Sequence, residues 1–449
     1  MKHTLPLACL LLFSGTLAAA ELESSAPKTW DWRFGGDLRL RYDFTNNLPT
    51  EKHTEKGHTD YARVRARLWS KLQTGNLELY LRVADEFRYY NSRESDKGKQ
   101  RFPDVLFIDN LYLKYTDLFG LMDVKLGRQD MAFGAKRIIS DGQGGDGSRS
   151  TSFDAARLTF KFSSKRTLDA FAIYQAREDW LPTLGKTHDA KSKHTKGYNY
   201  DTTGYNQNEY GAGLYYTDKS NTSFPWEAYY VWKVEQGHHS KALAKGETSF
   251  NTHTFGIRLL PKFTDTLSGE AELAVQTGDD SLAAAMAYGG LTYAPALTWK
   301  PKFTFGVQYM SGDEEGWRGD NAWLPVFNRE TGVGEAVAPM FNKYAYTNFL
   351  YPHLKIGLTP AQGHAITFQT GPMFAPVRED DGHGGSYGTF RGYYASVKYA
   401  IDLNSLFAQD WLKGAGLAFT GEYLSKGDYF ADGSDNDALF GRVELTYKF

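Results

Sequence analysis

A single cysteine, Cys9, occurs in 449 residues, and it lies in a leading apolar segment. Once that segment is cleaved, the mature chain has neither disulfides nor thiol chemistry. Proline is scarce, at 15 residues, and glycine numbers 45, levels that exclude both collagen and low-complexity disorder. Neither sign of charge is in excess: 51 Lys and Arg face 53 Asp and Glu, for a net charge of −2. That balance excludes a generally basic nucleic-acid binder, so no nucleic-acid partner is expected. Beyond Leu17 no run of 18 apolar residues exists, which excludes a transmembrane helix. There is also no Gly-x-Ser-x-Gly nucleophile elbow, and the chain does not read as an enzyme, although spacing is blind to a triad assembled in space.

What is present begins with the leader. Lys2 and His3 precede an apolar run from Leu5 to Leu17 and then Ala18, Ala19 and Ala20, the layout of a secretory signal with a small-residue cleavage site. Cys9 follows Leu7 and Ala8 in the manner of a lipobox, but almost no hydrophobic core precedes it. Residues 1–20 are therefore expected to be removed, leaving 21–449 as one domain.

Aromatic residues reach 15% of the chain while its mean hydropathy is −0.50. A hydrophilic average beside an excess of rings is resolved by the strand pattern. From Phe34 to Phe44 the even positions carry Phe34, Leu38, Leu40, Tyr42 and Phe44, and the odd ones Asp37, Arg39, Arg41 and Asp43. This is period-two amphipathicity. It recurs from Tyr61 to Trp69, at the C-terminus from Arg442 to Phe449, and in about 15 further runs, which makes about 18 candidate strands. Connections alternate between tight ones, such as 73–75, 116–120, 163–166 and 359–363, and long polar ones at 46–60, 89–105, 134–152, 177–207, 236–250, 312–343 and 376–388. Short periplasmic turns and long extracellular loops give that rhythm in an outer-membrane barrel. Trp30, Trp32, Tyr42, Phe44, Trp226, Tyr230, Trp232, Tyr423, Tyr447 and Phe449 suit aromatic girdles at the two lipid interfaces. The sequence thus reads as an all-β, transmembrane antiparallel barrel in the outer membrane of a Gram-negative bacterium, in contact with lipid and lipopolysaccharide. About 18 strands spaced ~4.8 Å and tilted ~40° enclose a diameter of roughly 36 Å, too wide for side chains alone to fill. The interior is expected to be a water channel narrowed by inward loops or long residues.

With the apolar parity facing lipid, the lumen receives Arg39, Arg41, Arg63, Arg65, Arg67, Arg82, Lys125, Arg157, Lys161, Lys233, Arg258, Arg442 and Lys448. The acids on that face include Asp37, Asp43, Glu78, Glu227, Glu270, Glu272 and Glu444. Five arginines on the first hairpin face only two aspartates of that hairpin, which predicts a basic wall able to bind carboxylates in paired hydrogen bonds. Cationic rings of this kind make a pore prefer anions. The alternative is that these arginines only solvate a wide lumen and pair with Asp37, Asp43 or Glu78.

Gly127-Arg128-Gln129-Asp130, then Phe133-Gly134 and Arg137-Ile138-Ile139-Ser140, then Ser152-Phe153-Asp154-Ala155-Ala156-Arg157-Leu158 follow one another across the fifth strand, its loop and the sixth strand. Here the chain resembles the alginate-export family of outer-membrane proteins. The motif covers about 40 residues, and the barrel organisation is similar over the whole mature chain. The resemblance implies an 18-stranded, monomeric barrel with an electropositive constriction that passes an anionic uronate polysaccharide outward. It places Arg128, Asp130, Arg137, Asp154 and Arg157 at the upper pore, and the glycine-rich stretch 142–147 looks like an inserted loop.

The resulting expectation is a passive channel selective for anionic saccharides, exporting an acidic polysaccharide such as alginate. The alternatives are a loop-gated uptake porin for small anionic nutrients and an adhesin or structural barrel with a plugged lumen. No cofactor or metal is expected. The aspartate clusters at 141–146 and 432–437 read as turn chemistry, and His53, His58, His238 and His239 as solvated loop histidines. Phe449 resembles the terminal aromatic read by the barrel-assembly machinery. Residues 402–412 break the period of two and predict a short amphipathic helix in a periplasmic turn, a surface that a periplasmic secretion partner could use.

Overall fold

The computed structural model describes residues 29–449 apart from 51–52, 92–105, 141–151, 177–178, 183–206, 238–248, 316–318, 329–331, 342–346, 381–385, 432–433 and 435. The leader, the stretch 142–147, His238 and His239 lie outside the described residues. Eighteen antiparallel strands form one sheet. In chain order they are β1 (Asp31–Asn46), β2 (Thr59–Thr74), β3 (Leu77–Tyr90), β4 (Phe107–Leu118), β5 (Met122–Gln129), β6 (Phe153–Ser163), β7 (Arg166–Gln175), β8 (Gln207–Asp218) and β9 (Trp226–Gly237). There follow β10 (Ser249–Leu259), β11 (Leu267–Gly278), β12 (Ala283–Tyr293), β13 (Lys302–Met310), β14 (Phe349–Leu358), β15 (His364–Phe374), β16 (Phe390–Asp402), β17 (Gly416–Lys426) and β18 (Ala438–Lys448). Each strand pairs with its sequence neighbours, and β18 returns to β1 in a register running from Asp37 opposite Lys448 to Asn46 opposite Leu439. Closure leaves no free sheet edge, a requirement in lipid, where backbone groups find no other hydrogen-bond partner.

The seam explains Gly36. The Gly36 N–H donates to the Phe449 carbonyl at 2.9 Å, and the Phe449 N–H donates to the Gly36 carbonyl at 3.1 Å. A Cβ on Gly36 would meet the Phe449 ring at 2.7 Å, so the terminal aromatic needs a bare backbone opposite it.

Alternation sets inside and outside as the pattern requires. In β1, Arg39, Arg41 and Asp43 are 6%, 7% and 0% exposed, whereas Leu40, Tyr42 and Phe44 are 38%, 44% and 41% exposed. No helix among the described residues is long and apolar enough to cross a membrane; the strands do the crossing. The short helix predicted at 402–412 is present as α1 (Leu403–Phe407), with the Asp402 carboxylate accepting from the Asn404 N–H at 3.0 Å.

The lumen departs from a simple polar interior. Met131, Phe133, Ile138 and Ile139 from the β5–β6 connection, and Trp323, Val326, Phe327, Val337 and Phe341 from the β13–β14 connection, form one buried cluster. They share it with inward residues such as Phe171, Tyr215, Tyr229, Phe250 and Tyr351. The two connections bond to each other: Ile139 bridges Phe327 in parallel, and the Phe327 N–H donates to the Ile138 carbonyl at 3.0 Å. Gln276 of β11 clamps the second connection, donating to the Leu324 carbonyl at 2.8 Å and accepting from its N–H at 2.9 Å. A hydrophobic core thus sits inside the barrel, and among the described residues these two connections contribute most of the loop side chains in it.

Candidate functional site

The arginine-rich wall is built where β18, β1, β2 and β3 lie side by side. Register places Arg39 opposite Arg65 and Arg41 opposite Arg63, and like charges directly opposed across strands destabilise a sheet. Carboxylates resolve the conflict. Asp43 accepts from Arg442 at 2.6 Å and from Arg63 at 3.0 Å. Asp37 accepts from Arg67 at 2.8 Å and from Arg65 at 3.2 Å. Arg41 pairs with Glu444 of β18, and buried Arg39 lies in the field of Arg41, Arg65 and Glu86.

Further acids come from outside the hairpin. Glu335, on the inward β13–β14 connection, reaches Arg442 at 2.8 Å and Arg63 at 3.3 Å. Arg82 binds Asp109 at 2.5 Å and Asp130 at 2.9 Å. A register shift between Arg82 and Val83 in the β3–β4 pairing is a bulge, which lets consecutive residues serve one face: Asp109 meets Arg82, and the Asn110 amide donates to Asp130 at 2.9 Å. The expected unpaired excess on the first hairpin is therefore corrected to an ion-pair lattice. Glu444, Asp109 and Glu335 supply what Asp37 and Asp43 alone would not, while Asp130 matches Arg82 of β3.

The opposite wall is different in kind. A cavity of about 540 Å³ lies between β11–β15 and the inward connections, lined by Lys136, Arg137, Lys302, Lys355 and a single carboxylate, Glu270. Glu270 is engaged by Arg137 at 2.7 Å and by Arg258 at 3.0 Å. Among the described residues, the ammonium groups of Lys136, Lys302 and Lys355 have no hydrogen-bond or ion-pair partner. Gln308, Thr304, Thr367 and Gln369 add neutral donors and acceptors, and Tyr288, Tyr351 and His353 add rings. A Cβ on Gly306 would meet His353 at 2.7 Å and the Tyr288 hydroxyl at 2.9 Å, so glycine there makes room for both. This lining can hold carboxylates by charge and hydroxyls by hydrogen bonds.

A model of the family described as alginate export matches residues 31–372. The chain belongs to the alginate export family. Among solved structures it is similar to three Pseudomonas aeruginosa proteins. OccK2 (OpdF) is 12% identical with a TM-score of 0.59, over 93% of this chain and 98% of that one. OpdQ is 13% identical with a TM-score of 0.58, over 93% and 98%. The outer membrane protein opdK is 12% identical with a TM-score of 0.57, over 93% and 99%. At that identity the likeness establishes the fold. Among curated proteins none matches the sequence.

In this alginate export family member the motif residues divide. Asp130 joins the lattice. Arg137 anchors the inward β5–β6 connection, donating to Glu270 at 2.7 Å and Glu272 at 2.6 Å, with its guanidinium 3.7 Å from the Tyr288 ring centroid. Arg157 faces the lumen, bonded to Asp169 at 2.8 Å and lying over Phe133. Arg128 and Asp154 do not line the pore. They are Cα partners with the parity of Leu126 and Ala156, and Leu126 is exposed on the outer face. There Arg128 makes paired contacts to Asp154 at 2.7 and 3.0 Å and to Asp179 at 2.8 Å twice. The Trp180 indole N–H donates to Asp154 at 2.7 Å. This ion-pair set pins the connection after β7 to the rim.

The sequence reading missed Lys302, Lys355 and Lys136 because none belongs to a dense run of alternating cations like that of the first hairpin, and Lys136 stands beside the motif residue Arg137. The signal lay in β14, where Phe349, Tyr351, His353 and Lys355 share one parity; the first three are buried and Lys355 is exposed to the lumen. His53 was expected in solvent but is 6% exposed, stacked on Tyr387 at 3.6 Å. Among the described residues no group of three or more His, Cys, Asp or Glu could hold a metal ion.

Proposed function

We propose that this porin-like barrel is a passive, monomeric outer-membrane channel of a Gram-negative bacterium, selective for anionic saccharides and exporting an acidic polysaccharide such as alginate. Residues 1–20 act as its cleaved leader. The observation that carries the reading is the cavity in which Lys136, Lys302 and Lys355 face one carboxylate already engaged by arginine. Unpartnered cations in a narrow passage with low-dielectric walls raise the local concentration of anions. A translocated polymer is served by several weak sites of this kind rather than by one tight one. A second reading, uptake of small anionic nutrients, is favoured by one feature: the inward connections bond to each other across the lumen at Ile139 and Phe327, which suits a small solute.

Planar-bilayer recordings under a KCl gradient test the proposal. The reversal potential should report anion selectivity, and added oligouronate should block the current. Cation selectivity of the unmodified protein would overturn it. Block by monomeric uronate but not by a hexamer would favour the uptake reading.

A further inference from the structure

At one place in the lysine cavity the wall is bare. Gly290 of β12 and Gly306 of β13 are opposed in register, and His353 of β14 is the next residue along that row. Gly290 shares the strand parity of Tyr288 and Thr292, which line the cavity. A Cβ on either glycine would meet a side chain folded over it. Above Gly290 the Tyr288 hydroxyl lies 2.8 Å from that position; above Gly306 the same hydroxyl lies at 2.9 Å and His353 Nε2 at 2.7 Å. Neither glycine has a positive φ, so what the site requires of them is space rather than conformation. Two adjacent glycines form a floor on which a phenol and an imidazole converge.

Both polar atoms are held in place, yet the protein does not use them. Arg137, bound to Glu270 and Glu272, sets its guanidinium 3.7 Å from the Tyr288 ring centroid. The His353 ring stacks on Tyr351 with centroids 4.8 Å apart. Its Nδ1 donates to the Tyr351 carbonyl at 3.2 Å, which leaves Nε2 of the neutral ring as an acceptor. Among the described residues neither the Tyr288 hydroxyl nor His353 Nε2 has a hydrogen-bond partner, and neither is among the polar atoms shut off from solvent. A donor and an acceptor converging on one spot suit a hydroxyl, which gives one bond and takes another. Lys355 stands two residues along β14 on the same face, roughly 7 Å away along the strand, and its ammonium is likewise without a partner among the described residues. A cavity of about 540 Å³ falls within the ~300–1,000 Å³ of small-ligand sites. A compact ligand carrying a carboxylate and hydroxyls would satisfy all three groups, whereas a plain carboxylate would leave the phenol and imidazole covered and unpaired.

We infer that Tyr288, His353 and Lys355 form a subsite for a sugar acid, in which Lys355 takes the carboxylate while Tyr288 and His353 take a ring hydroxyl above Gly290 and Gly306. The inference rests on the anionic-saccharide reading above and narrows it from charge to hydroxylated acids. The probes are glucuronate, butyrate, which has the acid alone, glucose, which has the hydroxyls alone, and an oligouronate hexamer. The readout is the concentration of each that halves the KCl current in planar bilayers. Tyr288→Phe keeps the ring beneath Arg137 and removes no bond that the described residues make. Gly306→Ala displaces both polar atoms, and Lys355→Gln removes the charge. Heat-modifiable mobility reports assembly of each variant, and if Gly306→Ala fails to assemble, Tyr288→Phe decides alone.

In the parent, glucuronate should block at a concentration about tenfold below butyrate or glucose, the kind of preference a hydrogen-bonding site shows for a ligand with the matching group. Tyr288→Phe and Gly306→Ala should each erase most of the preference over butyrate, and Lys355→Gln should weaken glucuronate and butyrate alike. Block by the hexamer with the same Tyr288 dependence supports a subsite for one unit of a polymer; dependence confined to glucuronate supports a subsite for the free acid. An anion-selective parent blocked equally by glucuronate and butyrate overturns the subsite and leaves the channel reading standing, and so does a preference that survives both Tyr288→Phe and Gly306→Ala. A cation-selective parent that still prefers glucuronate in a Tyr288-dependent way defeats the channel reading and supports the subsite.

Discussion

The two walls of the lumen carry positive charge in opposite ways. Around β18, β1, β2 and β3 the arginines are dense, buried and matched: Arg63, Arg442 and Asp43 are 4%, 5% and 0% exposed. Around β12–β14 the lysines are sparse, open to the lumen and unmatched among the described residues. Burial accounts for the difference. A guanidinium removed from water needs a carboxylate, because an uncompensated buried charge is strongly destabilising, whereas an ammonium on a flexible stem at a cavity wall keeps its water. The wall that looks most basic in the sequence is therefore the less available to a passing anion.

The largest effect should come from breaking the matched side. Asp43→Ala removes a carboxylate that Arg63 and Arg442 share, and should cost about 3–5 kcal/mol, the range for removing one partner of a buried ion pair. Urea unfolding in micelles, followed by heat-modifiable mobility, measures it. Selectivity should scarcely change in whatever folded protein remains. A variant as stable as the parent would show that the lattice is not a stabilising network.

Next in size is the open side. Lys302→Gln with Lys355→Gln should lower the anion-to-cation permeability ratio on the order of tenfold, equivalent to about 1.4 kcal/mol. Stability should stay within about 0.5 kcal/mol, as for substitutions that break no packed or paired contact. If the ratio falls instead in a charge-conserving lattice variant such as Arg65→Lys and not in this pair, the two walls have been assigned the wrong roles.

Much of the barrel was legible because lipid imposes period-two alternation on every strand, and short turns at one end impose a rhythm on the loops. The β1 pattern alone separates Arg39 and Arg41 from Leu40 and Tyr42. The parity of Arg128 with Leu126 is equally visible in the sequence and places that arginine off the pore, whereas the family motif by itself carries no information on which face it takes. The contents of the lumen were not legible in the same way. Met131, Ile139, Val326 and Phe327 lie in connections without periodicity, and they meet only because the barrel brings distant loops into one space. Glu335 likewise meets Arg63, 272 residues away in sequence, a contact that no local spacing announces.

The smallest effect concerns the long-loop end above the arginine wall, where acid should loosen one lock and leave the lysine cavity as it was. Burial pushes the Glu379 carboxyl up. The hydrogen bond from His53, the Arg391 charge and the hydrogen bonds from Asn348 and Tyr429 outweigh that and hold it at about 2. The Asn348 amide donates to it at 2.8 Å and the Tyr429 hydroxyl at 2.9 Å, so the carboxylate ties the β13–β14, β15–β16 and β17–β18 connections together. With a folded value below the unfolded value of about 4.3, the contribution is complete well above pH 4.3 and is lost as pH falls toward 2. Between pH 7 and pH 3.5 the loss is about 1 kcal/mol. Hydrogen exchange of residues 375–380 should rise over that interval at constant anion selectivity, and Glu379→Gln should remove the pH dependence. An unchanged acid response in Glu379→Gln would assign the loosening to another carboxylate.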